Sequence, residues 1–206
     1  MKKQMISAQI VFLFALIELL CFSPSVWAGT ITGTVTWRVP EGEGNQNVVV
    51  YLKDVKGEFA PSEEPRLMDQ RKKIFIPHVL PILKGEKVAF LNSDPFLHNV
   101  HAYLGRETLF NIAIMKSSKP KPRVKNFDQI GEQVILCDVH PEMEAWIIVL
   151  SNPYFAVTDE TGSYTIENVP TGSYTLKTWH KKRKSSQSEV TVASSDTSKV
   201  DFIIKK

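Results

Sequence analysis

Two cysteines, Cys21 and Cys137, are all that the 206 residues contain. The first lies in an apolar stretch that reads as an export leader, so a single thiol remains and an internal disulfide is excluded. Long apolar runs are also missing after that stretch. None approaches the roughly 20 residues that a bilayer span takes. No segment carries an amphipathic helical repeat of useful length. Charge of one sign is lacking too, with 25 Lys+Arg against 22 Asp+Glu. Removing the leader with Lys2, Lys3 and Glu18 leaves 23 basic and 21 acidic side chains, a net +2. That balance excludes nucleic-acid binding driven by overall charge.

The N-terminus has the three parts of a secretory signal. Lys2 and Lys3 form a positive start, residues 10–22 are largely apolar, and Val26-Trp27-Ala28 offers small residues for cleavage before Gly29. Glu18 inside the apolar run and the run's shortness speak against a membrane anchor. Leu20 before Cys21 is not small, which speaks against a lipoprotein. The expectation is a cleaved signal peptide over residues 1–28 and a periplasmic or secreted mature chain.

The rest reads as β-structure. Residues 30–37 alternate with β-branched side chains, and residues 48–52 follow after a turn-rich stretch. Residues 74–80 and 86–91 flank a hairpin-like break at Lys84-Gly85. Further strands are expected at 99–103, 133–136 and 145–150. Residues 57–71 are polar and contain Pro61 and Pro65, so a loop is expected there, with 61–71 as a linker. The basic runs at 116–125 and 180–184 read as solvated loops, with docking to an acidic partner as the alternative. Many short strands between turns predict an all-β chain of sandwich type.

The lone mature thiol has informative neighbours. Cys137-x-x-His140-Pro141-x-Met143 places a thiolate, an imidazole and a thioether within seven residues. Soft sulfur ligands beside imidazole select copper, and a blue-copper site takes two His, one Cys and a weak axial Met. The missing imidazole lies upstream, where His98 and His101 compete. Three residues apart on an extended strand, they point to opposite faces, so one of them serves. His78 is expected in a structural or supporting role, and His180 apart from the site. The chain's five histidines are too few for a multicopper oxidase. No cysteine-hydrolase signature surrounds Cys137.

These residues carry a family resemblance. The span from Lys73 to Leu150 resembles a cupredoxin, most similar to amicyanin, on Gly85-Glu86-Lys87-Val88-Ala89-Phe90, Asn92, His98-Asn99-Val100-His101 and the Cys-His-Met loop. The resemblance implies a Greek-key β-sandwich with His98, Cys137, His140 and Met143 as ligands of one type 1 copper. It also implies His140 as the electron's exit point and Asn99 as the residue tying the two ligand loops together. Cupredoxins commonly ring the exposed His with apolar residues. Here the loop carries Asp138, Glu142 and Glu144: facing a partner, they would make docking more electrostatic and salt-sensitive, and pointing away, they would only keep the protein soluble.

The C-terminal part resembles a carboxypeptidase regulatory-like, or transthyretin-like, β-sandwich on Asp159-x-x-Gly162-x-Tyr164 and Pro170-x-Gly172-x-Tyr174. Such domains begin with strands like 31–35 and 48–52, so residues 29–60 and 152–206 are expected to form one smaller, discontinuous sandwich. The cupredoxin domain, 72–151, would be inserted in it. The combination resembles exported proteins labelled plastocyanin-like or methylamine-utilisation proteins.

The function expected is that of a non-enzymatic one-electron carrier cycling Cu(I)/Cu(II), serving a redox protein such as an exported cytochrome or dehydrogenase. The alternatives are a copper chaperone or sensor without redox traffic, and a structural or adhesive exported protein.

Overall fold

Alternation of β-branched residues builds the first strand of the computed structural model, which describes residues 28–37, 45–116 and 121–204. The expected leader lies outside these residues except for Ala28. β1 (Ala28–Thr36) buries Ile31 and Val35 and turns its threonines outward, and β2 (Val49–Lys53) follows it. Next come β3 (Arg66–Arg71), β4 (Ile74–Ile76), β5 (Val79–Leu83), β6 (Lys87–Phe90), β7 (His98–Leu104) and β8 (Glu107–Ile114). β9 (Arg123–Asn126), β10 (Gly131–Leu136) and β11 (Glu144–Leu150) complete the central run. The last are β12 (Phe155–Val157), β13 (Ser163–Pro170), β14 (Gly172–Trp179), β15 (Gln187–Val192), β16 (Thr197–Lys199) and β17 (Phe202–Ile203). No helix occurs among the described residues, so the chain is all-β.

The strands form four sheets. One has the order β13-β1-β16, with β17 also on β1, and another β12-β2-β14-β15. Thus β1 and β2 find their partners in the C-terminal strands. The central strands form a five-stranded sheet, β5-β11-β10-β7-β8, and a four-stranded one, β4-β3-β6-β9. Met68, Phe90, Val100, Ile135 and Ile147 fill the core between the two central sheets. Ile31, Leu52, Ile166, Leu176 and Phe202 fill the other sandwich.

A third core joins the sandwiches. Val49 and Trp179 from one side meet Val79, Trp146, Ile148 and Leu150 from the other. β11 therefore buries both faces, with Ala145, Ile147 and Val149 turned to the central core. This explains why its sequence is a continuous apolar run rather than an alternation. Six buried side chains at about 1.5–3 kcal/mol each give an upper estimate on the order of 10 kcal/mol for this contact. That far exceeds the ~0–1 kcal/mol of an exposed ion pair. Apolar packing holds the two sandwiches together.

Several local expectations are corrected. Residues 66–71, expected within a loop and linker, form β3, because Met68 and Gln70 alternate inward between polar neighbours. The 74–80 segment divides into β4 and β5 around Pro77. The break at Lys84-Gly85 is a crossover, not a hairpin, since β5 and β6 belong to different sheets. Part of the basic 116–125 run is β9, where Lys125 lies over the Phe110 ring and Arg123 is exposed.

The β3–β4 turn places Lys72 and Lys73 at φ of 55° and 57°. This is the hairpin geometry that Asn-Gly satisfies with less strain. The double substitution Lys72→Asn/Lys73→Gly is expected to raise unfolding stability by about 1 kcal/mol in a denaturant titration. Trp179→Ala, which opens the core between the sandwiches, is expected to cost about 3–5 kcal/mol in the same measurement.

Candidate metal centre

Cys137 and Met143 bracket the loop between β10 and β11, whose ladder ends at the pair Leu136↔Glu144. Just beyond it, the Cys137 N–H donates to the Met143 carbonyl at 3.3 Å and the Met143 N–H to the His140 carbonyl at 2.9 Å. β7 lies on the other side of β10, with His101 opposite Leu136. Running the antiparallel register onward brings His98 alongside the loop.

The side chains converge there. The Cys137 sulfur lies 3.7 Å from His98 Nδ1 and 3.8 Å from His140 Nδ1. The sulfur and one nitrogen from each ring all fall within 4.8 Å of one another. An ion bound trigonally at about 2.0 Å from nitrogen and 2.3 Å from sulfur would separate N and S by about 3.7 Å. The observed spacing fits a single first-row metal ion. His98 and Cys137 are buried, whereas His140 is half-buried and reaches the surface. Met143 is buried in the same core as Cys137. Phe96 packs near both rings, at 5.1 Å from His98 and 5.5 Å from His140.

Asn99 lies directly behind the loop. Its Oδ1 accepts the Asp138 N–H at 2.7 Å, and its Nδ2 donates to the Asp138 carboxylate at 2.9 Å. A single side chain thus joins β7 to the backbone next to Cys137. His101 is outside the metal cluster: its Nδ1 meets Asp138 at 2.9 Å and its ring stacks on Tyr103. The His101 hydrogen bond is the main reason that the Asp138 carboxyl sits below the usual carboxylate range, against a smaller penalty from burial.

His98 has a further partner on its far side. Its Nε2 is 2.9 Å from Asp94 Oδ2, and Asp94 itself is buried. Lys72 and Lys73 donate backbone N–H groups to the two Asp94 oxygens at 2.6 and 2.9 Å. Burial opposes the Asp94 charge, but the hydrogen bonds from Lys73, His98 and Lys72 outweigh it and hold the carboxyl below its ordinary range. The sequence reading passed over Asp94. The only local signal was a carboxylate four residues before a candidate ligand.

The acidic residues of the loop have partners within the molecule. Glu144 pairs with Lys181, Asp138 binds His101, Asn99 and Asn111, and Glu142 approaches Lys73 at 3.9 Å. The exposed neighbours of the two histidines are apolar, Leu97 and Val139. Lys181 also reaches His78 at 3.1 Å and lies over the Trp146 ring, so it bridges the sandwiches and is not a free docking charge. Burial first, and then the Lys181 charge, push the His78 pKa down. His78 and His180 stand apart from the metal cluster, His180 beside Trp37.

Among the described residues, no helix is long and apolar enough to cross a membrane. Among solved structures, amicyanin from Paracoccus versutus is similar at 19% identity and a TM-score of 0.38, covering 49% of this chain and 97% of its own. A purple cupredoxin from Nitrosopumilus maritimus is 18% identical with a TM-score of 0.37, covering 41% and 99%. A copper-containing nitrite reductase from Thermus scotoductus SA-01 is 21% identical with a TM-score of 0.38, covering 58% and 28%. No curated protein matches the chain. Residues 145–205, which run from β11 to β17, match the carboxypeptidase regulatory-like domain family.

Proposed function

We propose that this protein is an exported one-electron carrier with a single type 1 copper held by His98, Cys137, His140 and Met143. The observation that carries the reading is the convergence of two imidazole Nδ1 atoms on the Cys137 sulfur at 3.7 and 3.8 Å. Copper bound there supplies a Cu(I)/Cu(II) couple. Cys137, as thiolate, provides the soft donor, and its burial keeps water from the sulfur. The β10–β11 ladder and the Asn99 tether fix the ligands in one arrangement, so little must rearrange when the charge changes. Met143, buried in the same core as Cys137, would add a weakly binding thioether to the donor set.

Half-buried His140 is the natural exit for the electron, with exposed Val139 next to it in the chain as an apolar contact for a partner. The partner is a redox protein such as an exported cytochrome or dehydrogenase. The protein is not itself an enzyme in this reading. A chaperone that hands metal on needs ligands open to exchange, and the buried His98 and Cys137 disfavour that role.

The test is addition of Cu(II) to the purified mature protein. An intense visible thiolate-to-copper band and narrow EPR hyperfine splitting are expected. Cys137→Ser removes the colour. Met143→Leu keeps it and raises the reduction potential, because loss of a weak donor withdraws more stabilisation from Cu(II) than from Cu(I). A folded wild-type protein that takes up copper without that band overturns the reading.

A further inference from the structure

We infer that Asp94 is a positioning residue that sets the tautomer of His98 and, by its fixed negative charge, holds the reduction potential of the site down. This rests on the electron-carrier reading for the potential, but not for the tautomer.

The hydrogen-bond inventory decides the tautomer. Backbone amides can only donate, and they occupy both carboxylate oxygens of Asp94: Lys72 N–H on Oδ1 and Lys73 N–H on Oδ2. Oδ2 also faces His98 Nε2 at 2.9 Å. An oxygen already accepting an amide proton is served by a second donor, so the imidazole carries its proton on Nε2. Nδ1 is then left with its lone pair, and Nδ1 is the atom 3.7 Å from the Cys137 sulfur. The tautomer that can bind a metal is selected from behind.

The support behind Asp94 is unusually complete. Lys72 and Lys73 form a two-residue turn with both residues at positive φ, which points consecutive amides at one carboxylate. The Asp94 N–H is itself fixed by Asn92 Oδ1 at 2.9 Å. Asn92 in turn donates to the Phe96 and Ile114 carbonyls at 2.8 and 3.0 Å. The loop between β6 and β7 is thereby locked around the carboxylate.

The charge matters because it is buried. His98 is fully buried and Asp94 is 8% exposed, so water screens their interaction weakly. A carboxylate on the outer N–H of a metal-bound His makes that ligand a stronger donor. Stronger donation, and a nearby negative charge, both favour the more positive metal state. The carboxylates of the ligand loop are more exposed: Asp138 at 50%, paired with His101 outside the cluster, Glu142 at 58% and Glu144 at 42%.

Two measurements test this. In metal-free protein at mildly alkaline pH, long-range proton–nitrogen NMR should find the His98 proton on Nε2. A proton on Nδ1 overturns the assignment whatever the metal does. In the copper-loaded mature chain, Asp94→Asn should stay blue while its potential rises by at least 59 mV, a tenfold shift of the one-electron equilibrium. Asp94→Glu should return the potential toward wild type. A blue Asp94→Asn protein with an unchanged potential overturns the electrostatic role alone. A colourless wild type overturns the electron-carrier reading and the potential effect with it, while the NMR result still decides the tautomer.

Discussion

β11 is a strand with no solvent face. Ala145, Ile147 and Val149 are packed into the central core, while Trp146, Ile148 and Leu150 are packed into the core shared with the second sandwich. The metal cluster depends on that double burial, because the Cys137–Met143 loop is the connection into this strand. The ladder pairs Leu136 with Glu144, and the next hydrogen bond runs from Cys137 to Met143. A strand free to shift its register by one residue would exchange its two faces and carry the loop with it. Burial on both sides makes such a shift costly. The second sandwich, through Val49 and Trp179, thus packs directly against the strand that the ligand loop leads into.

Charge around the cluster divides into a screened set and a buried one. Glu142 and Lys73 are both about half-exposed, and ion pairs of that kind contribute about 0–1 kcal/mol. Lys181 is more enclosed, lying over Trp146 and bonded to Glu144, and it links the two sandwiches polar group to polar group. Asp94 is different because it combines burial with three hydrogen-bond donors. The loop's acidic residues have partners within the molecule but keep half-exposed carboxylates. Next to the half-buried His140 in the chain, Val139 is an exposed apolar side chain.

Much of the site was legible in the sequence because its chemistry is local. A thiol, an imidazole and a thioether within seven residues need only a loop to bring them together, and His98 is one strand away. The all-β character was legible from alternation at residues 30–37 and from the many short β-rich stretches between turns. β3 was not, because its inward positions include Gln70, a polar residue whose Nε2 donates to the Leu91 carbonyl. The Lys84-Gly85 break was misread since a turn's residues do not say which sheet the next strand joins. Asp94 was missed for a related reason. Its role depends on amides from a distant hairpin turn, a relation that no spacing in the sequence encodes.

The central claim is that two imidazoles and the Cys137 thiolate bind one copper ion together. X-ray absorption at the copper edge of the singly loaded protein tests it most directly. One short thiolate sulfur and two imidazole nitrogens are expected around the copper, with the sulfur lost in Cys137→Ser. A shell of nitrogen and oxygen alone in the wild-type protein would contradict it.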